Sequence, residues 1–333
     1  MIRIALDAMG TDNAPEPEVA GVALALAELP PTFHIQLVGR RDVIEPALKK
    51  HKVDQARLTV VDAADVVGMG EKPLQAVRAK PGSSIMVGLR LQKEGKSDAF
   101  ISAGNTGAVM AASTLLLRLH RGIQRPAIGA LFPTAGRPVL VLDGGANVDC
   151  DARELVGFGH LGTVYARDVL GRESPTVGLL NIGEEDEKGN AAVKEANELL
   201  KQSPGIRYVG NVEGRDILAG ECEKGPIDVV VADGFVGNVV LKFYESVARF
   251  IVSVIQQRAP DVLQRPEIRD LLRRLDYSEY GGAPLLGVKG VSIICHGSSP
   301  PNAIKNAIRV AAQSVESHLS QHIGAEVAPG AMA

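Results

Sequence analysis

Hydrophobic positions in this chain fall into short runs of Ile, Leu, Val and Ala. Most close on a turn of Gly, Asn and Asp, and apolar residues at helical spacing often follow. The run 2–6 enters the turn Asp7-Ala8-Met9-Gly10-Thr11-Asp12-Asn13-Ala14-Pro15, with a helix predicted over 19–29. The run 35–38 ends at Gly39-Arg40, and 99–102 ends at Ala103-Gly104-Asn105-Thr106-Gly107 before a helix over 108–119. The run 139–142 closes at Asp143-Gly144-Gly145-Ala146-Asn147, and 176–182 closes at Gly183 ahead of a helix from about 190 to 201. The run 227–232 closes at Asp233-Gly234-Phe235-Val236-Gly237-Asn238, with a helix from 239 onward. The run 291–295 closes at His296-Gly297-Ser298-Ser299-Pro300, and a last helix is predicted over 302–319.

Strands alternating with helices imply βαβ units and a mostly parallel sheet with both faces covered. In such sheets, sites form where the carboxyl ends of strands meet helix N-termini, and the turns above would all fall on that edge. No Pro/Ser-rich linker or charge block divides the chain, so residues 1–323 are expected to form one α/β unit. Residues 324–333 carry no periodicity and are expected to be a disordered tail. Residues 241–275 break the rhythm with helical signal alone, divided by Pro260 and Pro266. Ile268, Leu271, Leu272 and Leu275 share one face there, beside Arg265, Arg269, Arg273 and Arg274. This insertion reads either as a helical hairpin packed in the fold or at a dimer contact, or as a membrane-surface helix touching lipid through Arg265, Ile268, Leu271, Leu272 and Leu275.

Composition narrows the class. The chain has 333 residues, 45 % of them apolar, yet only 4 % are aromatic and Trp is absent, so the core must be aliphatic. The net charge of −3 supplies no global basic field for a polyanion, and few aromatics are available to stack bases, so nucleic acid is not an expected partner. Cys150, Cys222 and Cys295 lie far apart, which suits reduced thiols in a cytoplasm rather than disulfides or a zinc site. No uncharged apolar stretch reaches the length of a membrane span, and the start lacks the features of a signal peptide.

Gly157-Phe158-Gly159-His160-Leu161-Gly162 matches the dinucleotide pattern G-x-G-x-x-G but lies inside a predicted helix capped by Asp149 or Asp151, so it reads as close packing. Gly104-Asn105-Thr106-Gly107 follows a strand and opens a helix, where outward N–H groups and the helix dipole favour an anion; an ordinary capped turn is the alternative. The turns holding Asn147 and Asn238 repeat the theme, each with an Asp at a strand end. Together these turns suggest a cleft lined by neutral donors and backbone amides. In the loop Gly183-Glu184-Glu185-Asp186-Glu187-Lys188-Gly189-Asn190 the acids favour the following helix N-terminus. Lys188 reads there as a solvated lysine or as a point charge for phosphate. Cys295 and His296 are neighbours on a strand and point to opposite faces, so they form no dyad. Serine-hydrolase, zinc-protease, P-loop and kinase patterns are missing, so neither a covalent intermediate nor a dedicated metal is expected.

These turns, taken in order, resemble the acyl-ACP:phosphate acyltransferases of bacterial phospholipid synthesis, the PlsX family. The resemblance rests on Ala5-Leu6-Asp7-Ala8-Met9-Gly10, Asp12-Asn13-Ala14-Pro15, Ile101-Ser102-Ala103-Gly104-Asn105-Thr106-Gly107, Gly145-Ala146-Asn147-Val148-Asp149 and Val177-Gly178-Leu179-Leu180-Asn181-Ile182-Gly183-Glu184-Glu185-Asp186. It continues through Lys188-Gly189-Asn190, Gly210-Asn211-Val212-Glu213, Asp233-Gly234-Phe235-Val236-Gly237-Asn238-Val239, Tyr277-Ser278-Glu279-Tyr280-Gly281-Gly282-Ala283 and His296-Gly297-Ser298-Ser299. The departures are Thr11, where a glycine is usual, and Gly144, where a valine is common.

The resemblance implies a three-layer α/β/α sandwich with a mixed, mostly parallel sheet, like the isocitrate and isopropylmalate dehydrogenases and phosphotransacetylase. It implies a cytoplasmic homodimer that visits the membrane surface. The implied reaction converts acyl-ACP and inorganic phosphate to acyl phosphate and free ACP, without a cofactor, and a membrane glycerol-3-phosphate acyltransferase would use the product. Phosphate would itself be the nucleophile, which demands orientation and fixed oxyanion donors. On that basis Lys188 would hold phosphate or the oxyanion, Asn238 would donate to the carbonyl oxygen, and His296 would protonate the leaving thiolate or orient phosphate. Ser102, Gly104, Asn105, Thr106, Gly107, Asn147 and Asp233 would complete the cradle. Arg118, Arg121 and Arg125 are the expected landing patch for acidic ACP, or else they complement a helix end. The rivals are a phosphotransacetylase-like enzyme using acyl-CoA, a decarboxylating dehydrogenase, and a non-catalytic lipid-surface scaffold.

Overall fold

The computed structural model describes residues 1–275 and 277–327. Contacts group the chain into two compact units, one holding 1–126 with 280–327 and the other 127–279. The sequence reading expects one unit with one sheet. Two large sheets and a two-stranded one form instead among the described residues, because the chain leaves the first unit and re-enters it without any linker composition to mark the crossings. The fold class is α/β, with mixed, mostly parallel sheets and helices.

In the first unit the strands Leu58–Asp62, Phe33–Gly39, Ile2–Asp7, Ala99–Ser102 and Val291–Ile294 lie side by side in that order, all parallel. Ala283–Leu286 adds antiparallel to the last of them. Ile4, Leu6, Ile35, Leu37, Ile101 and Ile293 are fully buried and supply the aliphatic core the composition demands. The helix Glu16–Glu28 packs against Pro301–Glu316, and Gly21 permits it: a Cβ there would lie 2.5 Å from Ile304 Cβ.

In the second unit the order is Ala130–Phe132, Val139–Leu142, Val229–Val231, Thr176–Leu180, Arg207–Val212, antiparallel only at the first pair. The helix Ala152–Asp168 opens with a capping box between Asp151 and Glu154. It carries the whole G-x-G-x-x-G stretch. A Cβ on Gly162 would meet Val229 Cγ1 at 2.5 Å, so these glycines serve helix–sheet packing, as the sequence reading has it.

Several boundaries move. The helix expected from 239 starts at Gly234 and runs to Arg258, so Asn238 sits inside its first turns rather than before them. Pro260 and Pro266 do divide the insertion, opening the short helix Pro260–Gln264 and the helix Pro266–Leu275. The expected tail begins later than 324. Leu319–Glu326 is helical, and Leu319, Ile323 and Val327, four residues apart, are buried on one face. Residues 328–333 of that expected tail lie outside the described residues.

Candidate active site

Parallel strands end together, so each unit gathers its own polar turns on the carboxyl edge of its own sheet. In the first unit these follow Ile2–Asp7, Ala99–Ser102 and Val291–Ile294. Their backbones touch: a Cβ on Gly10 would stand 2.7 Å from the Gly104 nitrogen, and the Asp12 amide donates to the Gly297 carbonyl at 2.8 Å. Beneath them lies Asp7, which accepts from the Ser102 hydroxyl at 2.7 Å and the Met9 amide at 3.0 Å. The Gly104 amide donates in turn to Ser102 Oγ at 3.0 Å. Burial pushes the Asp7 carboxyl above the usual range, opposed by hydrogen bonds from Ser84, Ser102 and Met9.

Ser102 is therefore an internal link, fully buried, with its proton directed at Asp7. Asn105 is equally committed. Its Oδ1 caps the helix Thr106–Leu117 by accepting from Ala108, and its Nδ2 donates toward the carbonyls of Gly68, Met69 and Glu71 at 3.0–3.3 Å. Thr106 is exposed at the first helical position and Gly107 half-buried at the second, where backbone N–H groups lack intrahelical partners. His296 is exposed, and its Nδ1 accepts from the Ser298 amide at 3.2 Å with the Ser298 hydroxyl at 2.7 Å. That bond leaves the neutral ring's proton on Nε2.

The second unit repeats this design around Asp143. Its fully buried carboxylate collects the amides of Ile128, Gly145, Ala146 and Asn147 and the Asn147 side-chain amide, at 2.7–3.1 Å. Burial raises this carboxyl too, and the same amides oppose the shift. The sequence reading offers this turn as an anion cradle. Its amides already hold an internal anion, and Asn147 is spent on it.

What the turn does is seat Asn238. Gly237 and Gly234 let the helix N-terminus press onto it: a Cβ at 237 would lie 1.9 Å from the Asp143 carbonyl oxygen, and the Gly234 amide donates to the Asn147 carbonyl at 2.7 Å. Asp233 caps that helix through Val236 at 2.8 Å. Gly145, at φ +135°, faces Asn238, whose side chain a Cβ would meet at 3.3–3.4 Å. Asn238 itself is exposed.

Lys188 stands on the neighbouring turn, since Thr176–Leu180 pairs directly with Val229–Val231. Asn181 Nδ2 holds the Lys188 carbonyl at 3.1 Å, and the lysine stem lies along Gly183. Two of the four acids in its loop are engaged elsewhere, Asp186 with Lys201 at 2.9 Å and Glu184 with Arg215 at 3.4 Å. Among the described residues no acid takes the Lys188 ammonium, and no cluster of His, Cys, Asp and Glu could hold a metal.

Sequence reasoning noted Asp143 at a strand end but gave no organising role to the three buried carboxylates beneath these rims, Asp7, Glu18 and Asp143. A signal was present for two: an acid ends an apolar run immediately before a Gly-rich turn.

The family described as fatty acid synthesis protein matches residues 2–322. A phosphate acyltransferase of Heliobacterium modesticaldum is 48 % identical, over 98 % of this chain and 99 % of its own. One from Synechocystis is 47 % identical over 96 % of this chain and 93 % of its own. The chain belongs to the phosphate acyltransferase family. It is an acyltransferase, as the resemblance implies. A phosphotransacetylase from Staphylococcus aureus shares the fold at TM-score 0.62, with 15 % identity and 94 % of each chain covered. One from Streptococcus pyogenes does so at 0.61, with 18 % identity over 95 % of this chain and 94 % of its own. No described helix is long and apolar enough to cross a membrane.

Proposed function

We propose that the enzyme converts acyl-ACP and inorganic phosphate to acyl phosphate and free ACP, supplying glycerol-3-phosphate acylation. A phosphate oxygen attacks the thioester carbonyl, a C–O bond forms, the C–S bond breaks, and the thiolate leaves with a proton from His296 or from phosphate. Lys188 holds phosphate or the oxyanion and Asn238 donates to the carbonyl oxygen. Thr106 and the amides at the start of its helix add donors. Asp7 and Asp143, with Ser102, Asn105, Asn147 and Asp233, hold the turns in place. Phosphate brings the nucleophile, so the proposed reaction needs no nucleophilic side chain.

The observation that carries this reading is an uncompensated lysine and an exposed amide on adjoining strand ends. A satisfied turn backs the amide, so both groups are free to meet an incoming anion and a developing oxyanion. Lys188→Ala and Asn238→Ala should each cost about 10²–10³ in turnover while leaving the fold intact. Near-parent rates in folded variants would defeat the assignment.

The acyl donor is ACP. Arg118, Arg121 and Arg125 are exposed, and Arg118 adjoins Lys289, whose amide donates to the Arg118 carbonyl at 2.9 Å; these basic residues suit an acidic carrier. The likeness to phosphotransacetylases favours acyl-CoA as the second reading. Assaying both donors side by side separates the two.

The helix Gly234–Arg258 exposes Phe235, Val239, Phe243 and Phe250, the last two by 70 % and 68 %. Such a stripe supports a homodimer contact in this cytoplasmic enzyme. The following helix presents Leu271 beside Arg265 and Arg269, with Ile268, Leu272 and Leu275 half-buried, which suits transient contact with a membrane surface.

A further inference from the structure

Glu18 lies in the first turn of the helix Glu16–Glu28 and is fully buried, yet it takes no part in the chemistry above. Its carboxylate reaches back across the turn. The Thr11 amide donates to Oε1 at 2.7 Å and the Thr11 hydroxyl to Oε2 at 2.9 Å. The next residue, Asp12, donates to the Gly297 carbonyl, and Gly10 on the other side rests on Gly104. Thr11 thus sits at the centre of the segment that holds the three strand-end turns of the first unit together.

A hydroxyl differs from a backbone amide in one respect that matters here. The amide can only donate, whereas the hydroxyl donates to a carboxylate and accepts from a carboxylic acid. We propose that Glu18 is a positioning residue that holds the 8–12 turn through Thr11, and that the Thr11 hydroxyl lets it hold that turn in both protonation states. When Glu18 is ionised, both Thr11 groups donate to it. When it is protonated, the proton lies between Oε2 and Thr11 Oγ, the hydroxyl turns to accept it, and the amide bond to Oε1 remains. Without the hydroxyl the acid's proton would lose that partner, and the ionised carboxylate would lose its second donor.

The surroundings make this relevant near neutral pH. Burial pushes the Glu18 carboxyl up to about 7, and the Asp7 charge adds to the shift. The titratable groups facing Glu18 are Asp7, at the end of its strand, and the Cys295 thiol, itself pushed up to about 12 by burial and by Glu18. On the helices packed against it, Lys305 is engaged with Glu28 and Arg41 with Glu45. No cation in these pairs stabilises the ionised form.

The inference rests on the proposed reaction, because its functional consequence is the placement of the Gly104 turn. The test compares the parent enzyme with Thr11→Val, Thr11→Ser and Glu18→Gln from pH 6 to pH 8.5. Acyl-phosphate formation gives kcat and the KM for phosphate, and hydrogen exchange at the residue 11 amide gives the turn's stability. Each variant is expressed as a ratio to the parent at the same pH, so the titration of phosphate itself cancels. Thr11→Ser and Glu18→Gln keep a two-bond pairing and should stay within about twofold of the parent at every pH. Thr11→Val should raise the KM for phosphate about three- to tenfold, most strongly at the alkaline end, where the ionised carboxylate loses a charge-assisted bond, with faster exchange at residue 11 following the same pH course. A flat ratio for folded Thr11→Val, or exchange at residue 11 indifferent to all three substitutions, would overturn the inference. A parent enzyme that shows the exchange pattern and makes no acyl phosphate would instead refute the reaction and leave the Glu18–Thr11 pairing standing.

Discussion

Asn147 is bound to Asp143 twice, its backbone amide at 2.7 Å and its side-chain amide at 2.8 Å both donating to one carboxylate oxygen. The other oxygen takes the amides of Ile128, Gly145 and Ala146. This fully buried anion does for the turn what a bound phosphate does in many Gly-rich loops. The consequence is functional: the turn becomes a fixed platform, and the group it presents is Asn238.

Asp143→Asn should therefore be costly although it is nearly isosteric. One acceptor becomes an NH2 group facing buried N–H donors, and leaving them unsatisfied should destabilise the protein by about 2–4 kcal/mol. Denaturant unfolding checks this. A midpoint equal to the parent's would mean that the carboxylate does not organise the turn.

Glu18 sets a pH dependence of stability. Burial raises its carboxyl from an ordinary 4.5 to about 7, so the folded protein binds this proton more tightly than the unfolded chain does. Its contribution is fully present below about 4.5 and is lost as pH rises through about 7, in total by about 3 kcal/mol. Glu18→Gln removes the titration. Between pH 5 and pH 8 the stability difference between variant and parent should shift toward the variant by about that amount. Parallel stability curves would contradict the assignment.

Asn105 separates a cap from a clamp. Asn105→Asp keeps the oxygen that caps Ala108 but replaces the donor aimed at the carbonyls of Gly68, Met69 and Glu71 with a charged acceptor. We expect faster amide exchange through 68–72 and a loss of about 1–3 kcal/mol, with the start of the helix Thr106–Leu117 still protected. Asn105→Ala should lose protection in both places. Equal behaviour of the two variants would show that only the cap matters.

The cap at Asn105, offered as one of two readings, and the packing role of Gly162 were legible in the sequence, because caps and i, i+4 spacing are local chemistry, whereas the helix capped by Asp233 was expected only from 239. So were the parallel strands that carry the turns, since each ends an apolar run at a Gly-rich segment. The division into two units was not legible, because the crossings near 126 and 280 lack linker composition. Local signals also could not tell an amide that faces solvent from one that faces a buried carboxylate. That distinction moved Ser102, Asn105 and Asn147 from prospective ligand contacts to internal supports. It depends on which side chains from distant segments fill the space beneath the turn, as Asp7 does for Ser102.

The central claim is that phosphate, and not a side chain, attacks the thioester. Incubation of the enzyme with acyl-ACP and inorganic phosphate in the presence of hydroxylamine tests it most directly. The account predicts acyl hydroxamate that forms in proportion to added phosphate and is nearly abolished in Lys188→Ala. Release of free fatty acid alone, or hydroxamate formed equally well without phosphate, would contradict it.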